Sequence, residues 1–272
     1  MKNAIRALLL IVILITGLST AISYMEEQED NSIYESAKQY IQESVDPSEL
    51  VIFPGDEDAD ALSKVSKYQM RYDWGNLLPI NNQICGWLYV PDNGVINFPV
   101  VHGTDNTYYL NRDYTGTYNG NGSAFVDSRY HASCISKLIH GHNMNLTAAK
   151  PVFTTIINWK DKEYFDTHRT LYYTDANGLT KKYLIVSIAH FNVGVKEEYS
   201  YLNMEFETEE KFRGWVEYIK DHSTYFDLGD TQIDYKPDEV IVLSTCDRKL
   251  GYGANGRTIL FCVNLTNNII DW

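Results

Sequence analysis

The sequence predicts a mainly β protein, a barrel or sandwich, on three observations. Seven or eight short runs rich in Val, Ile, Phe and Tyr are separated by turns of Gly, Asn and Pro. One internal segment alone has clear helical periodicity. No strand–helix–strand rhythm recurs that would signal a parallel α/β sheet. There is no internal repeat and no low-complexity tract.

The elements follow in order. Ile33, Ala37, Ile41 and Val45 recur near helical spacing until Asp46-Pro47 ends that run. Pro54-Gly55 breaks the chain again before the acid-rich start Asp56–Asp60, which Leu62, Val65 and Tyr68 continue as a second short helix. From about Asn81 the period changes. Cys85–Val90 reads as a strand, Pro91–Gly94 as a turn and Val95–Val101 as the next strand. Ser123–Asp127, Lys137–His140, Leu171–Thr174 and Lys182–Phe191 are further strand candidates. Phe212, Trp215, Val216 and Ile219 then fall at i, i+3, i+4 and i+7 behind a Thr208 cap, which predicts an inserted helix. Glu239–Thr245 and Arg257–Leu265 complete the strands.

The formal net charge over 272 residues is −13. Nucleic-acid binding needs clustered Lys and Arg against phosphate, so this balance argues against such a partner. Ala7–Ile22 is almost unbroken apolar sequence behind Lys2 and Arg6. It lies near the lower limit of roughly 17–25 residues for a membrane span, and its flanking cations orient the rest of the chain outside. A retained anchor is the preferred reading. A cleaved signal competes, with Ser19-Thr-Ala21 as its small-residue site. The division expected is 1–25 anchor or signal, 26–80 helices and linker, and 81–272 the main β domain. Cys85, Cys134, Cys246 and Cys262 are too few for a disulfide scaffold, and none show CxxC spacing.

The chemistry concentrates near the C-terminus. Val240-Ile-Val-Leu-Ser-Thr-Cys246 ends in a thiol, a glycine-rich loop follows, and Arg257-Thr-Ile-Leu-Phe-Cys-Val263 begins with a guanidinium. Paired as an antiparallel hairpin, the two runs bring Cys246 and Arg257 to one end of the sheet. A fixed positive charge beside sulfur favours thiolate and can hold an oxyanion. Arg248 and Lys249 in the loop compete for that role, and a buried strand-end cysteine is the bland alternative. Arginine stays protonated, so a base must come from elsewhere. Leu138-Ile-His-Gly-His-Asn-Met144 supplies His140 and His142, with Asn143 placed to orient an imidazole. A zinc set of His131, Cys134, His140 and His142 matches no common closed site and is disfavoured.

Together these residues resemble the sortases, and within them class B. Gly-His-Asn-Met, Leu-Ser-Thr-Cys and an arginine on the next strand carry the resemblance. Cys85-Gly-Trp-Leu-Tyr-Val-Pro, Ile96-Asn-Phe-Pro-Val-Val, Asp105-Asn-Thr-Tyr-Tyr-Leu and Gly122-Ser-Ala-Phe-Val-Asp-Ser-Arg extend it over about residues 81–265. The resemblance implies an eight-stranded sortase β-barrel with two N-terminal helices and one inserted helix. It implies a transpeptidase on the surface of a Gram-positive bacterium, held in the cell membrane by a single N-terminal span with its catalytic domain outside. Carried over, Cys246 is the nucleophile, His142 the general acid/base and Arg257 the oxyanion or substrate-orienting cation. Asn143, Ser244 and Thr245 are possible supporting residues.

The implied partners are secreted proteins bearing a C-terminal sorting motif, and a peptidoglycan-precursor or pilin amine. No metal or organic cofactor is expected. Two rivals stand beside this reading. One is a thiol hydrolase of the same fold, which would release its product to water. The other is a catalytically silent surface-binding module with Cys246 merely buried.

Overall fold

The computed structural model describes residues 12–13, 16–19, 32–42, 71–91, 93–143, 152–197 and 200–265. Nine strands make the main sheet. They are β1 (Ile84–Tyr89), β2 (Asn97–Val101), β3 (Phe125–Val126), β4 (Ser136–His140), β5 (Thr170–Asp175), β6 (Thr180–Asn192), β7 (Ser223–Phe226), β8 (Val240–Cys246) and β9 (Gly256–Asn264). Their order is β9-β8-β4-β3-β2-β1-β5-β6-β7, and β6 also pairs with β9. That extra pairing closes eight strands into a barrel and leaves β7 as an appendage on β6. The expected barrel, and each of its eight strands, is therefore present.

Closure explains why β8 and β9 read as continuous apolar runs. Ile241 and Leu243 of β8 and Leu260 and Cys262 of β9 enter the interior core, with Leu88, Phe98 and Ile139. The alternate residues Val240, Val242, Ile259, Phe261 and Val263 face a second core outside the barrel. Both faces are buried, so neither strand shows polar alternation. The second core is covered by the inserted helix α3 (Glu209–Asp221), capped by Thr208 as predicted. Its stripe of Phe212, Trp215, Val216 and Ile219 is buried, and Trp215 lies 5.4 Å from the ring of Phe261. Burying each such side chain contributes about 1.5–3 kcal/mol.

Several elements differ from the sequence reading. β7 was not expected: four residues directly after α3, without a turn signal, merge into the helical pattern. The segment 154–167 is helical, with a 3-10 stretch Thr154–Lys160 and α2 (Lys162–Thr167), which Asp161 caps by accepting from Tyr164 N–H. Val152, Phe153, Ile156, Trp159 and Phe165 pack from this region into the interior core. Residues 32–37 are helical and Lys38–Tyr40 is a 3-10 turn, but the expected helix does not continue through Ile41. Ile41–Gln42 is extended and pairs antiparallel with Arg71–Tyr72. Val45 and the expected second helix at 56–68 lie outside the described residues. A short helix α1 (Trp74–Leu77), capped by Asp73, precedes the barrel. All four cysteines carry free thiols.

The single N-terminal membrane span, with the catalytic domain held outside by it, is corrected. Among the described residues no helix is long and apolar enough to cross a membrane. Within 7–22 the structure describes residues 12–13 and 16–19, which are helical. The rest of that segment lies outside the described residues.

The α3 stripe gives a stability prediction. Trp215→Ala should cost about 3–5 kcal/mol, read as a lower denaturant midpoint with an unchanged slope.

Candidate active site

β8 and β9 run antiparallel in unbroken register, with Cys246 directly opposite Arg257. Opposed residues in such a pair project to the same face, their Cβ atoms about 4.5–5.5 Å apart. The sequence expectation for this hairpin therefore holds at single-residue resolution. Gly256 fixes the turn into β9. A Cβ there would lie 2.2 Å from the Asp247 carbonyl oxygen, while the Asp247 N–H donates to the Gly256 carbonyl at 2.9 Å. The two backbones touch just beyond the thiol, and only glycine fits.

The histidine segment joins this hairpin through β4, which lies parallel to β8 with His140 beside Ser244. Beyond the paired residues the chains stay tied. Gly141 N–H donates to the Ser244 carbonyl at 3.1 Å, and Thr245 Oγ1 donates to the Gly141 carbonyl at 2.8 Å. The Asn143 side chain donates to the Cys246 carbonyl at 3.2 Å, so this residue braces the thiol's backbone. Gly141 is a second close approach, since a Cβ would sit 2.5 Å from the Phe153 ring. His142 Nε2 lies 2.7 Å from the Leu110 carbonyl oxygen. A carbonyl only accepts, so that bond needs the proton on Nε2 and leaves Nδ1 for proton exchange.

Cys246, His142 and Arg257 line one cleft of about 330 Å³, with Ser244, Thr245 and Tyr201 in its wall. Arg257 Nη1 donates to the Ala254 and Gly256 carbonyls at 2.7 and 3.0 Å, which fixes the guanidinium. Arg248 is exposed on a 3-10 turn and is not among the residues lining the cleft. Ser244 is buried and donates to the Tyr201 hydroxyl at 3.2 Å.

His140 also lines the cleft, but a carboxylate engages it. Asp127 Oδ2 lies 3.0 Å from His140 Nε2, and Arg129 clamps the same carboxylate through Nε at 2.8 Å and Nη2 at 3.0 Å. Burial alone would raise the Asp127 carboxyl, but the hydrogen bonds from His140 and Arg129 hold it well below the usual range. The zinc set of His131, Cys134, His140 and His142 does not assemble. His131 and Cys134 are absent from the cleft lining and gather instead with Glu205.

Behind the hairpin lies a polar chain. Asp247, 1% exposed, accepts from Lys160 Nζ at 2.5 Å, from Thr258 Oγ1 at 2.8 Å and from the Lys249 N–H at 3.0 Å. Burial would raise its carboxyl, and the Lys160 and Thr258 hydrogen bonds bring it down. Thr258 spends its one proton on Asp247, so it accepts from His190 Nδ1 at 3.0 Å. Thr224 lies 3.0 Å from His190 Nε2 and completes a neutral imidazole. Burial and the nearby Lys160 push His190 down to about 4, against a smaller upward pull from Asp247.

Sequence reading missed Asp127, Arg129, Tyr201, Asp247 and His190. The segment Phe-Val-Asp-Ser-Arg belongs to a motif of the sequence, and its Asp–Arg spacing is the available signal. The others are joined by contacts distant in sequence.

No protein-family model matches the chain. It is 28% identical over 203 residues to Sortase B of Listeria monocytogenes, covering 74% of this chain and 77% of that one. It is 22% identical over 247 residues to Sortase B of Staphylococcus aureus, covering 89% and 88%. Among solved structures, sortase B from B. anthracis in complex with AAEK1 is similar at TM-score 0.65 and 25% identity, covering 89% of this chain and 98% of that one.

The His190 pair gives a pH prediction. Folded His190 resists protonation down to about 4, whereas in the unfolded chain it takes its proton near 6.5. Between those values the unfolded state binds more protons, so stability falls as pH drops through the window. Urea midpoints across it should decline, and His190→Gln should flatten that decline.

Proposed function

Since the chain is a class B sortase, and by family a cysteine transpeptidase, we propose that it cleaves a sorting pentapeptide after threonine and passes the acyl group to an amine. The substrate would be a secreted protein bearing that motif near its C-terminus, of the Thr-Gly or Thr-Asn type. The acceptor would be a peptidoglycan-precursor or pilin amine. The observation that carries the assignment of roles is the Cys246–Arg257 register pair opening on the cleft that His142 also lines.

In the first transfer the Cys246 thiolate attacks the threonine carbonyl carbon, forming a C–S bond. The tetrahedral oxyanion is held by Arg257 and a backbone N–H. His142 gives a proton to the leaving amine as the C–N bond breaks, and a thioester remains. In the second transfer the acceptor amine attacks that thioester. His142 takes the proton from the incoming nitrogen, the C–S bond breaks, and the thiolate returns. The Leu110 carbonyl supports this use of His142 by holding Nε2–H, which leaves Nδ1 to shuttle the proton. Asn143, Ser244 and Thr245 serve as positioning residues that brace the β4 and β8 ends.

The test is cleavage of a panel of sorting pentapeptides with and without an added amine. Cys246→Ala should abolish turnover while keeping the fold. Arg257→Ala should lower kcat by about 10²–10³-fold, and Arg248→Ala should leave it unchanged. Added amine should convert the released acid into a joined product. Full cleavage by the Cys246→Ala protein would overturn the assignment, and an unchanged acid product would turn the reading towards hydrolysis.

A further inference from the structure

A second cluster of ligating side chains lies away from the sulfur–imidazole cleft. The turn between β3 and β4 carries His131 and Cys134, and the loop ahead of α3 carries Glu205. One ligand atom from each lies within 4.8 Å of the others. The local chain builds this arrangement. The Cys134 N–H donates to the His131 carbonyl at 2.9 Å, and the His131 N–H donates back to Cys134 Sγ at 3.4 Å. The sulfur is thereby folded into the turn. The Ile135 and Ser136 N–H groups both donate to the Met204 carbonyl, at 2.9 and 3.2 Å. That pins the neighbouring Glu205 backbone beside the turn. Glu205 Oε1 lies 2.5 Å from His131 Nε2, and Ser133 Oγ lies 2.9 Å from His131 Nδ1.

An exposed His–Glu pair would by itself contribute little. The buried sulfur beneath it changes the chemistry. Cys134 is fully buried, while the His131 and Glu205 side chains are 51% and 61% exposed. The result is a sulfur at the base with a nitrogen and an oxygen at an open rim. We propose that His131, Cys134 and Glu205 form a binding site for a divalent transition-metal ion, with Zn²⁺ as the fitting ion and water as its fourth ligand.

The donor set selects the ion. A thiolate and an imidazole disfavour Mg²⁺ and Ca²⁺, which take oxygen ligands. Three protein ligands with one open position is the pattern of an accessible zinc site. Zinc bonds of about 2.0–2.3 Å set tetrahedral ligand atoms roughly 3.5 Å apart. The ligand atoms lie within 4.8 Å of one another, with His131 and Glu205 at 2.5 Å, so binding requires adjustment, and the two side chains free to adjust are the exposed ones. On binding, the metal replaces the proton shared by His131 and Glu205, and the Cys134 proton leaves to solvent as the metal–sulfur bond forms. Ser133 holds the imidazole from its far side, the usual place of an outer hydrogen-bond partner.

Such an ion would link the 131–135 turn to the loop before α3. That loop also carries Tyr201 and Leu202, which line the cleft. Arg129 already donates to the Leu202 carbonyl at 3.3 Å, and Trp215 Nε1 to the Ser200 carbonyl at 2.9 Å. A bound metal would add a further tie to this wall.

The test is titration of the metal-stripped full chain with Co²⁺ in a Cys246→Ala background, which removes the cleft thiol. The expected result is a thiolate-to-cobalt charge-transfer band with tetrahedral d–d absorption, displaced by Zn²⁺. Cys134→Ser should abolish the band. His131→Ala and Glu205→Gln, at exposed positions that leave the core intact, should weaken binding at least as much as Ser133→Ala, for which about a tenfold loss is expected. Absence of the band, or a band unchanged by His131→Ala and Glu205→Gln, would overturn the proposal.

Discussion

The register between β8 and β9 is the constraint on which the site depends. Both strands alternate between the interior core and the core beneath α3, so each side chain has a single compatible face. A slip of one residue would send Ile241 and Leu243 outward and bring Val242 inward along the whole strand. The same slip would turn Cys246 away from Arg257. Two apolar cores thus aim one thiol, and the aim is as stable as the barrel itself. Gly256 makes the lock local, because its backbone approaches the Asp247 carbonyl too closely for any side chain.

Around that hairpin the protein has arranged polar groups at considerable desolvation cost. Asp127 and Asp247 are both nearly fully buried, and each is saturated with donors: Arg129, His140 and Asn106 for the first, Lys160, Thr258 and the Lys249 N–H for the second. Buried carboxylates so satisfied are costly to break and directional while intact. One anchors the end of β4 ahead of His142, and the other anchors the residue after Cys246. The strand ends that carry His142 and Cys246 are therefore held from separate carboxylate networks and open on one cleft.

The hairpin was legible in the sequence because two apolar runs bounded by a glycine-rich loop leave few ways to pair. Antiparallel pairing then places Cys246 and Arg257 at one end of the sheet, and the structure supplies the register that sets them opposite. The α3 stripe was legible for a similar reason, since Thr208 and four apolar residues at helical spacing define both its start and its buried face. Choosing His142 over His140 needed the resemblance to a family. Spacing alone put both on one strand end, and the Asp127 contact that engages His140 spans a turn with no periodic signature. Lys160 and His190 were illegible because their partners lie far along the chain. The apolar 7–22 segment reads as a span by hydropathy, whereas among the described residues no helix is long and apolar enough to cross a membrane.

The central claim is that Cys246, aimed by the β8–β9 register, forms the covalent intermediate. Its most direct test is intact-mass and peptide-level mass spectrometry of the enzyme quenched during turnover of a cleavable sorting peptide. A thioester adduct carrying the N-terminal part of the peptide on Cys246 is the predicted result. Turnover with no adduct, or with the acyl group on Cys85, Cys134 or Cys262, would contradict the account.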